Sequence, residues 1–158
     1  MNIFCLDPDP VLAARMQCDA HVVKMVLESA QLLSVARHAH GQPAPYKPTH
    51  AKHPCALWAG VGRDNYAWLH AHLVALSDEY THRYGRTHAT AQHLDALADA
   101  SFLPTGGTPH AQAMPDQFKH SDPVVAYRAY YRHKAQTLPR FRYTARNPPE
   151  WLNNQLSA

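Results

Sequence analysis

The chain is short of cysteine, glycine and long apolar runs, and each shortage narrows what the protein can be. Its 158 residues include three cysteines and six glycines, and no two cysteines stand at metal-binding spacing. Isolated cysteines favour neither a disulfide framework nor a thiolate zinc site, and they fit a reducing compartment. No apolar run approaches the roughly 18 residues of a membrane span, and the opening residues lack the basic region of a signal peptide. We therefore expect a soluble, cytoplasmic protein with no membrane partner.

Acidic residues are also few. Only three glutamates occur (Glu28, Glu79 and Glu150), and the formal net charge is +3. A mildly basic balance permits a polyanionic partner but does not require one. Glu79 and His82 form the single Glu-x-x-His pair, whereas a di-iron bundle site needs two such pairs and two further glutamates. The composition therefore gives only weak support to a metal site.

Turn and cap signals predict an all-α fold, a single helical domain over 1–158. Asp9 and Pro10 are typical of an N-cap and a first helical position. They predict a helix from about Pro10 to His40, broken near Cys18, where Asp19 is placed to cap a second segment. Residues 2–6 are predicted to be extended, and residues 102–120 are predicted to form a long loop. Further helices are expected to open at Pro54, to run over Asp64–Tyr84 and Thr90–Ala100, and to run from Pro123 to about Gln136.

One face of the opening helix carries the side chains that best suit chemistry. Gln17, His21, Lys24, Glu28 and Gln31 recur at helical spacing beside apolar residues. The simpler interpretation is a solvated helix face on which Lys24 and Glu28 form an ordinary ion pair at positions i and i+4. The functional interpretation needs a partly buried Glu28 carboxylate that moves protons. It also needs an amine that attacks a carbonyl or anomeric carbon, either a desolvated Lys24 or the α-amine of the chain.

Two further segments are candidates for nucleic-acid binding. The helix over 127–134 alternates aromatic and cationic residues, so Arg128, Arg132 and Lys134 are expected to hold phosphates and Tyr127 or Tyr131 to stack on a base. The alternative is an amphipathic helix whose tyrosines belong to the core. A proline-rich loop offers a second set of phosphate contacts, or a plain surface loop: Lys47, His50, Lys52 and His53.

With these residues in view, the chain resembles the small phage pyrimidine-dimer DNA glycosylase/AP lyases of the endonuclease V type. Those enzymes carry an Asp-x-His motif near the start of a long helix and an essential glutamate seven residues after the histidine. Asp19-Ala20-His21 and Glu28 have that spacing. The run over 127–134 looks similar to the family's aromatic-basic run with one inserted residue, and residues 46–54 loosely match a Tyr-x-x-His-Pro loop of related members.

The resemblance implies that an amino-terminal α-amine attacks C1′ of the damaged nucleotide and forms an imine. Glu28 would polarise the sugar and assist the lyase step, with His21 supporting it at the DNA-facing surface. The family also kinks DNA and moves a base out of the stack. Family members usually expose a small residue after methionine removal, whereas this chain begins Met1-Asn2. The amine is therefore left open between Met1, Asn2 and Lys24.

The leading hypothesis is a DNA glycosylase or glycosylase/AP lyase that acts on a damaged or modified base without a cofactor. DNA is the expected partner, and RNA remains open. One alternative is a non-catalytic nucleic-acid-binding module that uses the same basic surface. Another is a metal-dependent helical enzyme that uses Glu28, Glu79 and His82.

Overall fold

A computed structural model describes residues 1–153, and within that range the regular structure is entirely helical. The α-helices are α1 (Pro10–Arg15), α2 (Asp19–Ala39), α3 (Pro54–Ala59), α4 (Arg63–Tyr84), α5 (Pro123–Thr137) and α6 (Glu150–Asn153). Short 3₁₀ segments cover Ala89–His93, Asp95–Leu97 and Asp116–Phe118. The expected all-α class is confirmed.

The first two helices form where the cap signals place them, with one correction. The Asp9 carboxylate accepts hydrogen bonds from the N–H groups of Val11 and Leu12, so it caps α1 as expected. The break near Cys18 is also present. The expectation that Asp19 caps α2 is wrong, because Cys18 occupies the cap and Asp19 is the first helical residue.

The later boundaries shift by a residue or two, and one helix is weaker than expected. Gly62 rather than Asp64 precedes α4, and Gly85 ends that helix in the left-handed conformation at φ 67°. The segment expected as a helix over Thr90–Ala100 is two 3₁₀ turns instead. The sequence reading also missed α6.

The core forms where α2 packs along α4, with α3 against α2 and α1 against α4. Leucines from the two long helices meet there and are fully buried: Leu32, Leu33, Leu69, Leu73 and Leu76. Each such side chain contributes roughly 1.5–3 kcal/mol relative to an exposed one. This packing makes α2 a rigid base for the side chains at its surface.

The amino-terminal segment is buried against this core and is not a regular strand. Residues 2–6 are all buried, and Phe4 has a left-handed backbone at φ 58°. The extended conformation expected for residues 2–6 is therefore interrupted at Phe4. A bulky residue adopts this conformation only where its surroundings hold it there. Within the described residues, no helix is long and apolar enough to cross a membrane.

Candidate active site

Glu28 lies on α2 with a carboxylate that is nearly buried and incompletely satisfied. The residue is 9% exposed, and its Oε2 atom is buried without a hydrogen-bond partner in the described residues. Its Oε1 atom lies 3.6 Å from Lys24 Nζ. Buried polar atoms are paired almost everywhere in proteins, so an unpaired carboxylate oxygen at this position is unusual.

The charges of the amino terminus and of Glu28 both shift the pKa of the His53 imidazole. Burial lowers the pKa of His53, the charge of the amino terminus lowers it further, and Glu28 together with the backbone of Met1 raises it. Burial likewise raises the pKa of Cys55 to about 11, and the same two charges act on this thiol. The α-amine and the Glu28 carboxylate therefore share one neighbourhood, although 27 positions separate them in the sequence.

His53 is placed there by the start of α3. Its Nδ1 atom accepts a hydrogen bond from the Cys55 N–H, which makes the imidazole the N-cap of a helix that opens with Pro54. Sequence reasoning named His53 as a DNA contact and missed that it meets the amino terminus. The His-Pro pair before a short helix is the local signal for its capping role.

Asn2 has a structural role in holding the chain terminus. Its side chain donates to the Ala113 carbonyl at 2.8 Å and accepts from the N–H groups of Ile3 and Phe4. Asn2 is 7% exposed, whereas Met1 is only partly buried. The Asn2 side chain therefore anchors the amino-terminal segment and so positions Met1.

Lys24 differs from the desolvated amine considered from the sequence. Its side chain is 68% exposed and contacts Glu28 only at the edge of ion-pair distance. A lysine becomes a nucleophile near neutral pH when burial or a neighbouring cation lowers its pKa. The expectation of a desolvated Lys24 is wrong, because the side chain extends from α2 into water.

His21 lies beneath the surface and is held from two sides. Its Nδ1 atom is 2.8 Å from the Tyr131 hydroxyl, which also accepts a hydrogen bond from the Cys18 N–H. The ring stacks on Phe4 with centroids 4.4 Å apart. Burial, together with the charges of Lys134 and Lys24, lowers the pKa of His21 to about 4. The expected DNA-facing position for His21 is wrong, because the residue is 7% exposed.

Asp19, the acidic member of the Asp-x-His motif, anchors α2 in place. Its carboxylate accepts bonds from Arg83 at 3.0 Å and from the Thr144 N–H and hydroxyl. Burial alone would raise the pKa of Asp19, but the bonds from Thr144 and Arg83 outweigh it and lower the pKa. Asp19 therefore fixes the start of the helix that carries the candidate site.

The tyrosines predicted to stack on bases are part of the core. Tyr127 and Tyr131 are fully buried, and the Tyr127 hydroxyl donates to the Ala111 carbonyl. Their predicted stacking on a base is wrong for this reason. Tyr130 is the partly exposed tyrosine of α5, and its ring lies 5.4 Å from that of Phe118. The spacing did not reveal which aromatic face of α5 is buried.

The two arginines of α5 are largely engaged within the protein. Arg128 bonds to the Leu6 carbonyl and pairs with Asp7 at 3.2 Å, and Arg132 donates to the Trp151 carbonyl. Both guanidinium groups also lie over the Trp151 ring. These contacts stabilise the fold, and they leave Lys134 as the cation of α5 that stands beside the Tyr130 ring.

The cations of the proline-rich loop stay at the surface. Lys47, His50 and Lys52 are exposed, and His50 has a left-handed backbone at φ 51°. Neither lysine forms an ion pair within residues 1–153. The loop leads directly into His53, and His50 is near enough for its charge to lower the pKa of His53.

The Glu-x-x-His pair on α4 is used for structure. Glu79 accepts bonds from Arg83 and two bonds from Arg146, and the His82 ring contacts the Ala145 carbonyl. In the part of the chain that the structure describes, no three histidine, cysteine or acidic residues are grouped to hold a metal ion. The carboxylate of Glu79 is therefore already matched by two guanidinium groups.

Comparison with known proteins identifies the family. The sequence profile of the pyrimidine dimer DNA glycosylase family matches residues 1–97, which include α1 to α4 and all the residues around Glu28. No curated protein and no solved structure matches the chain. The match covers more than half of the sequence, and its range includes His21 and Glu28. The chain belongs to the pyrimidine dimer DNA glycosylase family, so it is a DNA repair glycosylase whose substrate is DNA.

Proposed function

We propose that the protein is a DNA glycosylase/AP lyase in which the α-amine of Met1 is the nucleophile and Glu28 handles the protons. The observation that carries the proposal is the unpartnered Glu28 carboxylate oxygen, buried in the neighbourhood of the amino terminus. Lys24 is too exposed to be activated by burial. Asn2 would supply the α-amine only after removal of Met1, and asparagine at the second position is a poor substrate for that removal. Met1 is therefore the amine that best fits the geometry.

The proposed reaction forms one bond to the sugar and breaks the bond to the base. The Met1 nitrogen gives its electron pair to C1′ of the damaged nucleotide and the N-glycosidic bond breaks. The base leaves with that bond's electron pair and takes one proton that the attacking amine releases. The second amine proton passes to O4′ as the C1′–O4′ bond breaks, which opens the ring and gives an imine between the protein and the sugar. Loss of a C2′ proton to Glu28 expels the 3′ phosphate by β-elimination, and water finally releases the amine.

His21 acts as a positioning residue in this proposal. Because its pKa lies at about 4, the ring is neutral at physiological pH. The Tyr131 hydroxyl accepts from the Cys18 N–H and lies 2.8 Å from His21 Nδ1, so it ties the imidazole to the start of α2. Stacked on Phe4, His21 fixes the segment that carries the amine.

DNA contacts in this proposal come from the surface cations around that site. Lys47, Lys52 and Lys134 supply charge for phosphates, and Tyr130 supplies an accessible ring. Each phosphate contact that is neutralised should add to the dependence of affinity on salt. Replacing Lys47 with alanine should therefore flatten the slope of log affinity against log salt by about one.

The proposal is tested by trapping the imine with borohydride on DNA that contains an abasic site. Intact mass first establishes that the purified chain retains Met1. We expect a covalent adduct, and peptide mapping should place it on the Met1 nitrogen. Lys24→Met should leave the yield unchanged, and it serves as the matched control for Glu28→Gln, which should trap much more slowly. Absence of any adduct at any protein concentration would refute amine catalysis, and an adduct on Lys24 would refute the assignment of Met1.

A further inference from the structure

The function proposed above leaves one neighbour of its nucleophile without a role, the imidazole of His53. This side chain stands where the proline-rich loop ends and α3 begins, and it is partly buried. Burial lowers its pKa, and the charges of the amino terminus and of Glu28 shift that pKa in opposite directions. His53 therefore lies close to both groups that the proposed reaction needs.

The start of α3 fixes the orientation and the tautomer of this ring. Nδ1 accepts a hydrogen bond from the Cys55 N–H at 3.1 Å, and the His53 backbone has the extended conformation of an N-cap, with ψ 138°. Pro54 restricts the residue before it to that conformation. A ring nitrogen that accepts a hydrogen bond carries no proton, so the hydrogen of the neutral imidazole lies on Nε2. The ring therefore presents a donor on the edge that faces away from the helix.

The backbone of Met1 receives this donor. Burial and the charge of the amino terminus lower the pKa of His53, whereas a hydrogen bond with the Met1 backbone raises it. A hydrogen bond raises the pKa of an imidazole when the ring donates, so the acceptor is the Met1 carbonyl. The carbonyl carbon and the α-amine of Met1 are attached to the same Cα atom. A bond to the carbonyl therefore restricts the direction in which the amine points.

The Asn2 side chain fixes the position of Met1 but not its orientation. Its amide oxygen accepts from the N–H groups of Ile3 and Phe4, so its bonds hold the chain after Met1. Rotation about the Met1 backbone bonds would still turn the α-amine toward or away from the Glu28 carboxylate. A partner for the Met1 carbonyl removes that rotation, and His53 supplies this partner from the start of α3.

We propose that His53 is a positioning residue that aims the Met1 α-amine, because its Nε2 donates to the Met1 carbonyl while its Nδ1 caps α3. The proposal rests on the amine mechanism proposed above. Its physical basis is orientation, since a nucleophile that is held in one direction attacks faster than one that rotates. Orientation acts after DNA has bound, so loss of this contact should slow imine formation and leave affinity for DNA unchanged.

Two substitutions separate the roles of the two ring nitrogens. In His53→Asn the side-chain oxygen takes the place of Nδ1 and can cap α3, but the side chain is too short to reach the Met1 carbonyl. In His53→Gln the amide nitrogen takes the place of Nε2 and can donate to Met1, whereas the cap is lost. Urea denaturation measures the stability of both variants. Borohydride trapping on abasic-site DNA under single-turnover conditions gives the rate at saturating DNA and the concentration that gives half of that rate.

We expect the two variants to differ in opposite ways. His53→Asn should keep the stability and the half-saturating DNA concentration of the wild type, and it should trap at least about tenfold more slowly at saturating DNA. His53→Gln should unfold at lower urea and trap at close to the wild-type rate per folded molecule. A residue that only supports the fold would give the reverse order, because the trapping rate would then follow stability.

The proposal is overturned if His53→Asn traps as fast as the wild type, or if His53→Gln traps no faster than His53→Asn. A loss in His53→Asn that is confined to weaker DNA binding would also overturn it, and would assign His53 to DNA contact. A wild-type adduct on Met1 together with any of these results refutes the role of His53 alone. Absence of a wild-type adduct refutes the amine mechanism and the positioning role together.

Discussion

Arg83 is the buried cation on which the position of α2 depends, and its replacement by methionine should be strongly destabilising. The side chain has no exposed area and bonds to Glu79 at 2.9 Å, to Asp19 at 3.0 Å and to the Arg15 carbonyl at 3.1 Å. Methionine fills a similar volume without the charge. The change therefore leaves two nearly buried carboxylates each with one fewer guanidinium partner.

The expected cost follows from that loss. Removing one partner of a buried ion pair typically costs about 3–5 kcal/mol. Asp19 keeps its two bonds from Thr144, and Glu79 keeps its two bonds from Arg146, so neither carboxylate is abandoned completely. We expect a decrease of about 3 kcal/mol in the free energy of unfolding, at the lower end of that range.

The effect should depend on pH in a defined direction. Burial alone would raise the pKa of Asp19 and Glu79, but hydrogen bonds from Thr144, Arg146 and Arg83 hold both below their ordinary values. A lowered folded-state pKa gives stability above the unfolded pKa, and that stability is lost as the pH falls through the folded value. The difference between wild type and variant should thus be largest at neutral pH and shrink below about pH 4.

Urea denaturation followed by circular dichroism measures the change, and a constant m-value confirms that both proteins unfold alike. Lys119→Met is the matched control, because it removes an exposed ion pair with Asp116 and should change stability by less than about 0.5 kcal/mol. A neutral-pH loss for Arg83→Met no larger than that of the control would refute the reasoning. So would a loss that grows as the pH falls.

Three further predictions concern packing and burial. Gly107→Ala should lower the melting temperature, because the added methyl group would lie 2.8 Å from Asp64 Cβ and Asn65 Oδ1; an unchanged melting temperature would show that the loop moves freely. Tyr131→Phe should cost about 1–3 kcal/mol in urea denaturation, since the Cys18 N–H and His21 Nδ1 lose a partner; an unchanged midpoint would contradict the two bonds. A thiol reagent should react slowly with the native protein at pH 8 and promptly with all three cysteines after unfolding. Burial raises the pKa of two thiols to about 12 and about 11, so fast reaction of the native protein would contradict their burial.

Local signals in the sequence predicted most of the helices. An acidic cap followed by proline marks the start of α1 and of α5, and glycine marks the end of α4. These signals are readable because a cap or a left-handed residue depends only on its immediate chain neighbours. The prediction of a helix over Thr90–Ala100 was wrong. The alanines and leucines of this segment are compatible with one helix, but in the structure the segment forms two 3₁₀ turns.

The candidate site was predicted in part. The spacing of His21 and Glu28 predicted that both lie on one face of a helix, and both are on α2. The sequence did not reveal the environments of His21 and Lys24. The His21 ring stacks on Phe4, and the Lys24 side chain extends into water. Helical periodicity gives the direction in which a side chain points around the helix axis. It does not tell which other segment of the chain packs over that side chain.

The sequence by itself determined the all-helical class, the caps of α1 and α5, the register of α2 and the scarcity of acidic groups, since each depends on composition or on neighbours within a few positions. The tertiary structure alone decided that the amino terminus, Glu28 and His53 share one neighbourhood, and that the core takes Tyr127 and Tyr131. These arrangements bring together residues that are far apart in the sequence. They follow from how the helices pack, because burying the apolar surface of several segments at once selects the arrangement.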